Sequence, residues 1–554
     1  MVFQELTTEF IIKNIKTMIF YLIIVLIIFP TQTILLPKLY GQLFDAKRSK
    51  SFFINSNIPM KTKNIIYIIF FLWALIIIGH SIKTGIEANV YPNFLSHIRK
   101  EIVQNTIHKY ENNYKNLKVG AHTARIMEVS RNIAELFFRF LDAIFPIIIV
   151  CLFINIFYFY YDKTLGFISL AGLTTLFFVC YYFVPKIIAI AAKRENYYYN
   201  MSEKIMDSYN NLLNIYLNND QKNTLESNSY LQAGYTKIYQ SQIQLYKTTV
   251  LIFSIISLIL FIAVIYYLYK MQKNGNITRP LFISLVLITI YYLNYLMQFS
   301  NQLAEVTTKI GNVENSREFL ESLYKKKKQS IKNDNIKDGK LELKNINFKY
   351  SKDGKMILQN FNLKINGGEK IAIIGKSGSG KSTLMKIVMK LYKNYEGDVT
   401  IDGIDIKKIS NAYLRNKVNY INQQTLLFND SIINNIKKGN KVTDQQIKKM
   451  ITKYQLESVF ASLKDGINSS AGVNGNNLSL GMQKTTLLLR GIFKNGKIII
   501  FDEPLAGLDK NTRKKAMKMI KENCSNQTVI IISHNQQVIP YVDRVVNINE
   551  INGV

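Results

Sequence analysis

Cysteine is scarce in this chain, three residues in 554. Cys151 and Cys180 fall in apolar runs and Cys524 lies far downstream. No two stand at a metal-binding or disulfide spacing, which excludes a stapled secreted fold and suits a reducing compartment. Acidic residues are also few, 38 against 70 Lys and Arg, so the formal net charge is +32. Such an excess raises nucleic acid as a partner, yet the lysines are dispersed among Asn and Ile without aromatic stacking platforms. That pattern excludes nucleic-acid binding. Four lysines do cluster, Lys325 to Lys328, and read as a solvated hinge. Glycine and proline are rare across 83–142 and 186–249, which leaves both stretches free to be helical.

Charge is nearly missing from six stretches: 17–36, 65–82, 143–161, 164–185, 250–268 and 281–299. Each approaches or exceeds the ~18–20 residues that a helix needs to cross a bilayer. Six runs before residue 300, and nothing like them after Lys340, exclude a soluble core. The first is too long, and too poor in small residues at a cleavage point, for a removable signal peptide. Short connections join the third run to the fourth and the fifth to the sixth. The stretches 83–142 and 186–249 are about 60 residues each and read as helical hairpins projecting to one side of the membrane. The remainder of the chain follows the sixth run, so it lies on that same side. Lys47, Arg48, Lys50, Lys61 and Lys63 in the first outer loop weaken the Lys/Arg asymmetry as a guide to orientation.

Gly375, Lys376, Ser377, Gly378, Ser379, Gly380, Lys381 and Ser382, followed by Thr383, match the phosphate-binding loop G-x-x-x-x-G-K-[ST]. An apolar strand precedes the loop and a helix follows it. Backbone N–H groups and the helix N-terminus would face an anion, Lys381 would reach the β- and γ-phosphates, and Ser382 would hold Mg²⁺. Upstream, Tyr350 could stack on an adenine ring. Gln423 follows a strand and opens a polar turn. The apolar strand at 498–501 ends in Asp502 and Glu503, where α/β sheets bind ligands. Asp502 would hold Mg²⁺ through water and Glu503 would activate the attacking water. A second buried strand ends at His534, a candidate γ-phosphate contact.

These strings, in this order, resemble the exporter type of ABC half-transporter, along nearly the whole chain. The resemblance implies a six-span α-helical membrane domain (1–324), a linker (325–339) and an α/β P-loop ATP-binding domain (340–554). It makes Tyr350 the A-loop, residues 375–383 the Walker A loop, Gln423 the Q-loop and a Mg²⁺ contact, Asp502 and Glu503 the Walker B pair, Asp509 the D-loop and His534 the H-loop. It implies ATP and Mg²⁺ as cofactors, with Lys381, Gln423, Glu503 and His534 catalytic. It also implies two ATP-binding domains paired head to tail, so that each site takes its signature motif from a second half-transporter. A homodimer is favoured, with a heterodimer as alternative. The ATP-binding domain and both termini are then cytosolic, in a multi-pass protein of the lipid bilayer.

The signature departs from the family's Leu-Ser-Gly-Gly-Gln. Leu478, Ser479 and Gly481 remain, but Leu480 replaces the first glycine and Met482 the glutamine. A helix is expected to start at Gln483. By resemblance, short helices near 112–117 and 211–217 couple the two domains, and ATP closure swings the spans from inward- to outward-facing. Thr31, Gln32, Thr33, Asn155, Asn294 and Gln298, with Tyr291, Tyr292 and Tyr295, are candidates to line a pathway. They favour an amphipathic cargo, otherwise unidentified. The six runs argue against a soluble ATPase. Intact Glu503 and His534 argue against a non-transporting regulator.

Overall fold

The computed structural model describes residues 2–46, 60–112, 119–324, 335–351, 353–376, 378–423, 425–534 and 536–551. Ser377 and the Lys325 to Lys328 run lie outside them. The chain divides into two compact units, residues 1–110 with 114–326, and 111–113 with 327–554.

In the first unit, six helices among the described residues are long and apolar enough to cross a membrane: Ile15–Phe44, Thr62–Lys109, His122–Tyr161, Lys163–Asn210, Gln221–Lys273 and Arg279–Asn315. Their isoleucine-rich composition is a poor helix former in water. In hydrocarbon, every backbone N–H and C=O must find its partner within the segment, which forces the helix. Helices of 48 and 53 residues are roughly 70–80 Å long, more than twice the ~30 Å hydrocarbon core. The described residues of 83–142 and 186–249 are accordingly helical apart from short turns. The link expected near 112–117 falls on 113–118, outside the described residues, and Leu212–Leu217 links the second pair as a short separate helix.

Two helices carry a wider turn that no apolar window reveals. After Pro30, whose ring supplies no N–H, Thr31–Leu35 forms a π-turn. Phe140–Ile144 forms another at the entrance to the third span. Between the third and fourth helices, Asp162 accepts from Leu165 N at 2.9 Å and from the Tyr267 hydroxyl at 2.9 Å, capping one helix and tying it to the fifth. At the close crossing of Leu36–Ala46 with Arg279–Asn315, a Cβ on Gly41 would meet Ser284 Oγ and the Pro280 carbonyl oxygen. Only glycine allows that approach.

The charges that end the apolar runs pair with one another. Lys83 Nζ lies 2.7 Å from Glu87 Oε1 and 2.5 Å from Asp142 Oδ1, with the lysine side chain 6% exposed. Tyr21 donates to Glu87 Oε1 at 2.8 Å, with the Leu141 carbonyl oxygen at 3.2 Å. A buried lysine is tolerable only when paired in this way.

Two of the polar residues expected to line a pathway, Asn155 and Tyr292, join helices. Asn155 donates to the Cys151 carbonyl at 2.8 Å and to Tyr292 Oη at 3.1 Å, while Ser169 donates to the same Oη. Thr33 is fully buried and donates to its own helix at Phe29 O. Asn294 and Gln298 are exposed, one helical turn apart on the same face.

Among its described residues, the second unit holds nine strands: β1 Leu341–Lys349, β2 Met356–Ile365, β3 Lys370–Ile374, β4 Tyr395–Ile401, β5 Ile404–Asp405, β6 Val418–Ile421, β7 Ile498–Asp502, β8 Thr528–Ile532 and β9 Arg544–Asn547. An antiparallel sheet runs β2-β1-β4-β5, and a second sheet runs β6-β7-β8-β3-β9 with every pairing parallel. Continuous apolar strands such as Ile498–Asp502, buried at every position, are what a parallel sheet covered on both faces requires. Asp402 fastens the approach to β1. Its carboxylate accepts backbone N–H groups from Lys337, Asp338, Gly339 and Lys340 at 2.7–3.2 Å. Burial alone would raise its pKa, but the four donors outweigh it and hold the carboxyl below the ordinary aspartate value.

Candidate functional site

Because the second sheet is parallel, β3, β6, β7 and β8 all deliver their carboxyl ends to one edge. After β3 the chain enters the glycine-rich loop, and Gly380, in the left-handed region at φ 91°, caps helix Lys381–Val388. Lys381 folds back over this loop, donating to the Gly375 and Lys376 carbonyls at 2.8 Å each and to Ser379 Oγ at 3.3 Å. Burial pulls its pKa down, opposed by Glu503 and Asp502. The ammonium thus occupies the loop's concavity, poised for an anion. Ser382 is half-buried and Thr383 is buried beside it.

Thr383 Oγ1 lies 2.6 Å from Tyr350 Oη. The Tyr350 ring is 59% exposed and stands edge-on to Phe348 and Tyr392, ring centroids 5.2 and 5.6 Å apart. Phe348 is buried and packs in the core, so Tyr350 is the aromatic free to present a face.

At the end of β7, Asp502 is 3% exposed. Tyr420 on the neighbouring β6 donates to its Oδ2 at 2.8 Å, and Oδ1 has no hydrogen-bond partner among the described residues. A buried carboxylate oxygen left open in this way fits a site for a hydrated cation. The tyrosine escapes a reading of the sequence because its partner lies 82 positions away across a strand pairing that no local pattern announces.

Glu503 follows with a left-handed backbone, φ 54°, which costs a residue with a Cβ about 1–2 kcal/mol. Its N–H donates to Ile532 O at 2.9 Å, and its Oε1 accepts from the His534 backbone N at 3.0 Å. His534 Nδ1 lies 2.8 Å from the same oxygen. The two residues expected to act separately, on water and on phosphate, are therefore a pair. The glutamate is buried, whereas the histidine side chain is 72% exposed. Strain held by neighbouring strands at such a point is a mark of a working site.

Gln423 is exposed just after β6. Its carbonyl accepts from Lys484 Nζ at 2.5 Å. Asp509 is engaged by its own helix, capping Lys510–Asn523 through Asn511 N and Thr512 N. Those bonds, led by the Thr512 hydroxyl, lower its pKa.

The signature helix starts earlier than expected, at Leu480 rather than Gln483. Ser479 provides the physical reason, since its hydroxyl caps the helix by accepting from Met482 N at 3.3 Å. The two departures from the family pattern point in opposite directions. Met482 turns into the apolar core, while Leu480 is 52% exposed. Leu480 also leans over the D-loop, and a Cβ built on Gly507 would fall 2.5 Å from its Cδ2. Ser479 is exposed and Gly481 half-buried. Among the described residues, no hydrogen bond joins Leu478, Ser479 or Gly481 to the phosphate loop.

Two family models match the chain, "ABC transporter transmembrane region" over residues 13–297 and "ABC transporter" over 358–506. A similar relative is the ATP-dependent lipid A-core flippase of Saccharophagus degradans, 31% identical over 212 residues, 38% of this chain and 36% of the relative. Another is the mitochondrial iron-sulfur clusters transporter ATM1 of Yarrowia lipolytica, 33% identical over 187 residues, 34% of this chain and 26% of the relative. The chain thus matches about a third or less of these relatives' lengths. A bacterial Atm1-family ABC exporter solved with ATP bound superposes with a TM-score of 0.84, covering 96% of this chain and 93% of the other at 17% identity, a likeness of fold. The transmembrane model spans just over half of the 554 residues, ahead of the second match in the same polypeptide, and the chain belongs to the ABC transporter family.

Proposed function

We propose that this chain is half of an ATP-driven exporter, two halves together hydrolysing ATP at the interface of their ATP-binding domains. The observation that carries this reading is one edge of a parallel sheet on which Lys381, the half-open carboxylate of Asp502 and the Glu503–His534 pair converge. Lys381 leaves the loop carbonyls for the β- and γ-phosphates, and Tyr350 stacks on the adenine. Glu503 orients the attacking water, with His534 fixing its carboxylate and turning its exposed ring towards the γ-phosphate. Ser382, Asp502 and the Gln423 side chain would hold Mg²⁺, whose chemistry there is to neutralise phosphate charge. Positioning and charge stabilisation then account for the chemistry.

Exposed Ser479 and the backbone at Gly481 serve the ATP of the other half, which makes a second copy the natural partner. Leu480 favours a second reading of that partner. A bulky side chain on the face that would meet the other subunit's nucleotide suits a pair with a different, more regular half. The ATP-binding domain and both termini are assigned to the cytosol. Asn294 and Gln298, exposed on one apolar helix, support an amphipathic cargo.

Reconstitution of the chain alone in vesicles tests this reading. Wild type should hydrolyse ATP, and Glu503→Gln should bind and trap nucleotide without turnover. Equal hydrolysis by the variant would remove Glu503 from its role. Activity appearing only after a second half-transporter is added would replace the homodimer.

A further inference from the structure

The signature helix serves the partner's nucleotide, yet its contacts reach into the chain's own site. Leu480 rests on Gly507 of the D-loop. One helical turn later, on the same face, Lys484 is 8% exposed and donates from Nζ to the Gln423 carbonyl at 2.5 Å. Farther along, Arg490 grips the segment that follows Gln423. Its Nε donates to Asn435 O at 2.6 Å and its Nη2 to Asn435 Oδ1 at 2.8 Å. Asn435 in turn exchanges two 2.9 Å hydrogen bonds with the backbone of Phe428. The chain after β6 is therefore fastened to the signature helix at both ends, by Lys484 at Gln423 and by Arg490 through Asn435.

A lysine taken from water to hold a backbone carbonyl is a costly fastening, offset only in part by the charges of Asp502 and Glu503 nearby. Its placement matters because Gln423 reports on the chain's own nucleotide while Ser479 reports on the partner's. This step rests on the ATPase reading above. We propose that Lys484 is a positioning residue that makes the Q-loop ride on the signature helix, so that nucleotide in one site sets the geometry of the other. Two groups joined by a rigid turn and a short charge-assisted bond move as one body.

The test uses the full chain in lipid nanodiscs with Lys484→Met, which keeps the stem and removes the donor, and Lys484→Arg. Without nucleotide, Lys484→Met should raise amide exchange across residues 425–435 by about tenfold while exchange in β7 and β8 stays unchanged. It should lower kcat about fivefold with KM for ATP within about twofold, and Lys484→Arg should restore both readouts. Unchanged exchange over 425–435, or a kcat loss that arginine does not restore, overturns the proposal. Raised exchange together with a wild type that hydrolyses no ATP supports the fastening and counts against the ATPase reading alone.

Discussion

His534 holds Glu503 Oε1 twice, from its backbone N–H at 3.0 Å and from ring Nδ1 at 2.8 Å. The direction of the glutamate carboxylate is thus set by a residue that follows a neighbouring strand. Replacing His534 with alanine removes the ring bond and keeps the backbone one. His534→Ala should therefore lower kcat by about 10²–10³, the scale of one lost orienting or charge-stabilising group. Binding of a fluorescent ATP analogue should be nearly unchanged.

Leu480 and Gly507 form a size-matched pair. Gly507 sits at φ 80°, and any Cβ there meets the leucine. Gly507→Ala should cut ATPase about tenfold through both backbone strain and collision. Leu480→Ala in the same chain should recover the part due to collision. Measured ATPase rates for the two single variants and the double variant separate these terms, and an additive double variant would show that the side chains do not interact.

Asp402 ties down residues 337–340 as an ionised carboxylate. Asparagine keeps the left-handed backbone, φ 52°, but offers one acceptor oxygen where the aspartate uses two. Asp402→Asn should destabilise the chain by about 1–2 kcal/mol at neutral pH. Its folded pKa is lowered, so its contribution is present above the unfolded aspartate value and is lost as pH falls through the folded one. Thermal unfolding of both chains should consequently converge as pH drops below about 4.

Among the described residues, Lys83 is the cation that pairs with both Glu87 and Asp142. Lys83→Met strands two carboxylates and should cost about 3–5 kcal/mol, read as a fall in Tm of the detergent-solubilised chain. Adding Glu87→Gln and Asp142→Asn removes the stranded charges and should return most of the loss.

Local strings carried much of this molecule. The six runs, the glycine-rich loop and the acids ending β7 were each legible because their chemistry lies within a few consecutive residues. What escaped depends on distant segments meeting. Tyr420 reaches Asp502 only because β6 pairs with β7, and Lys484 reaches Gln423 only because the signature helix packs on that sheet. Lys83 and Asp142 ended two apolar windows, and nothing in either window said that they were each other's partner. Asn155 looked like a pathway residue because its polarity is local information, whereas its bond to Tyr292 is not. Ser479 could have been read as a helix cap from its residue type and place.

The two π-turns act as phase shifters. An extra residue in one turn rotates all that follows by about 100° relative to an uninterrupted α-helix. The stripe that Val119–Arg139 buries through Val129 and Ile133 is thus out of step with the stripe that Phe145–Tyr161 buries through Ile147, Val150, Ile154 and Tyr158. One continuous helical run can then serve two separate cores whose faces do not line up. The first span gains the same freedom at Thr31–Leu35. Removing a single residue from either turn would re-time the helix and turn a buried stripe outward along its whole remaining length.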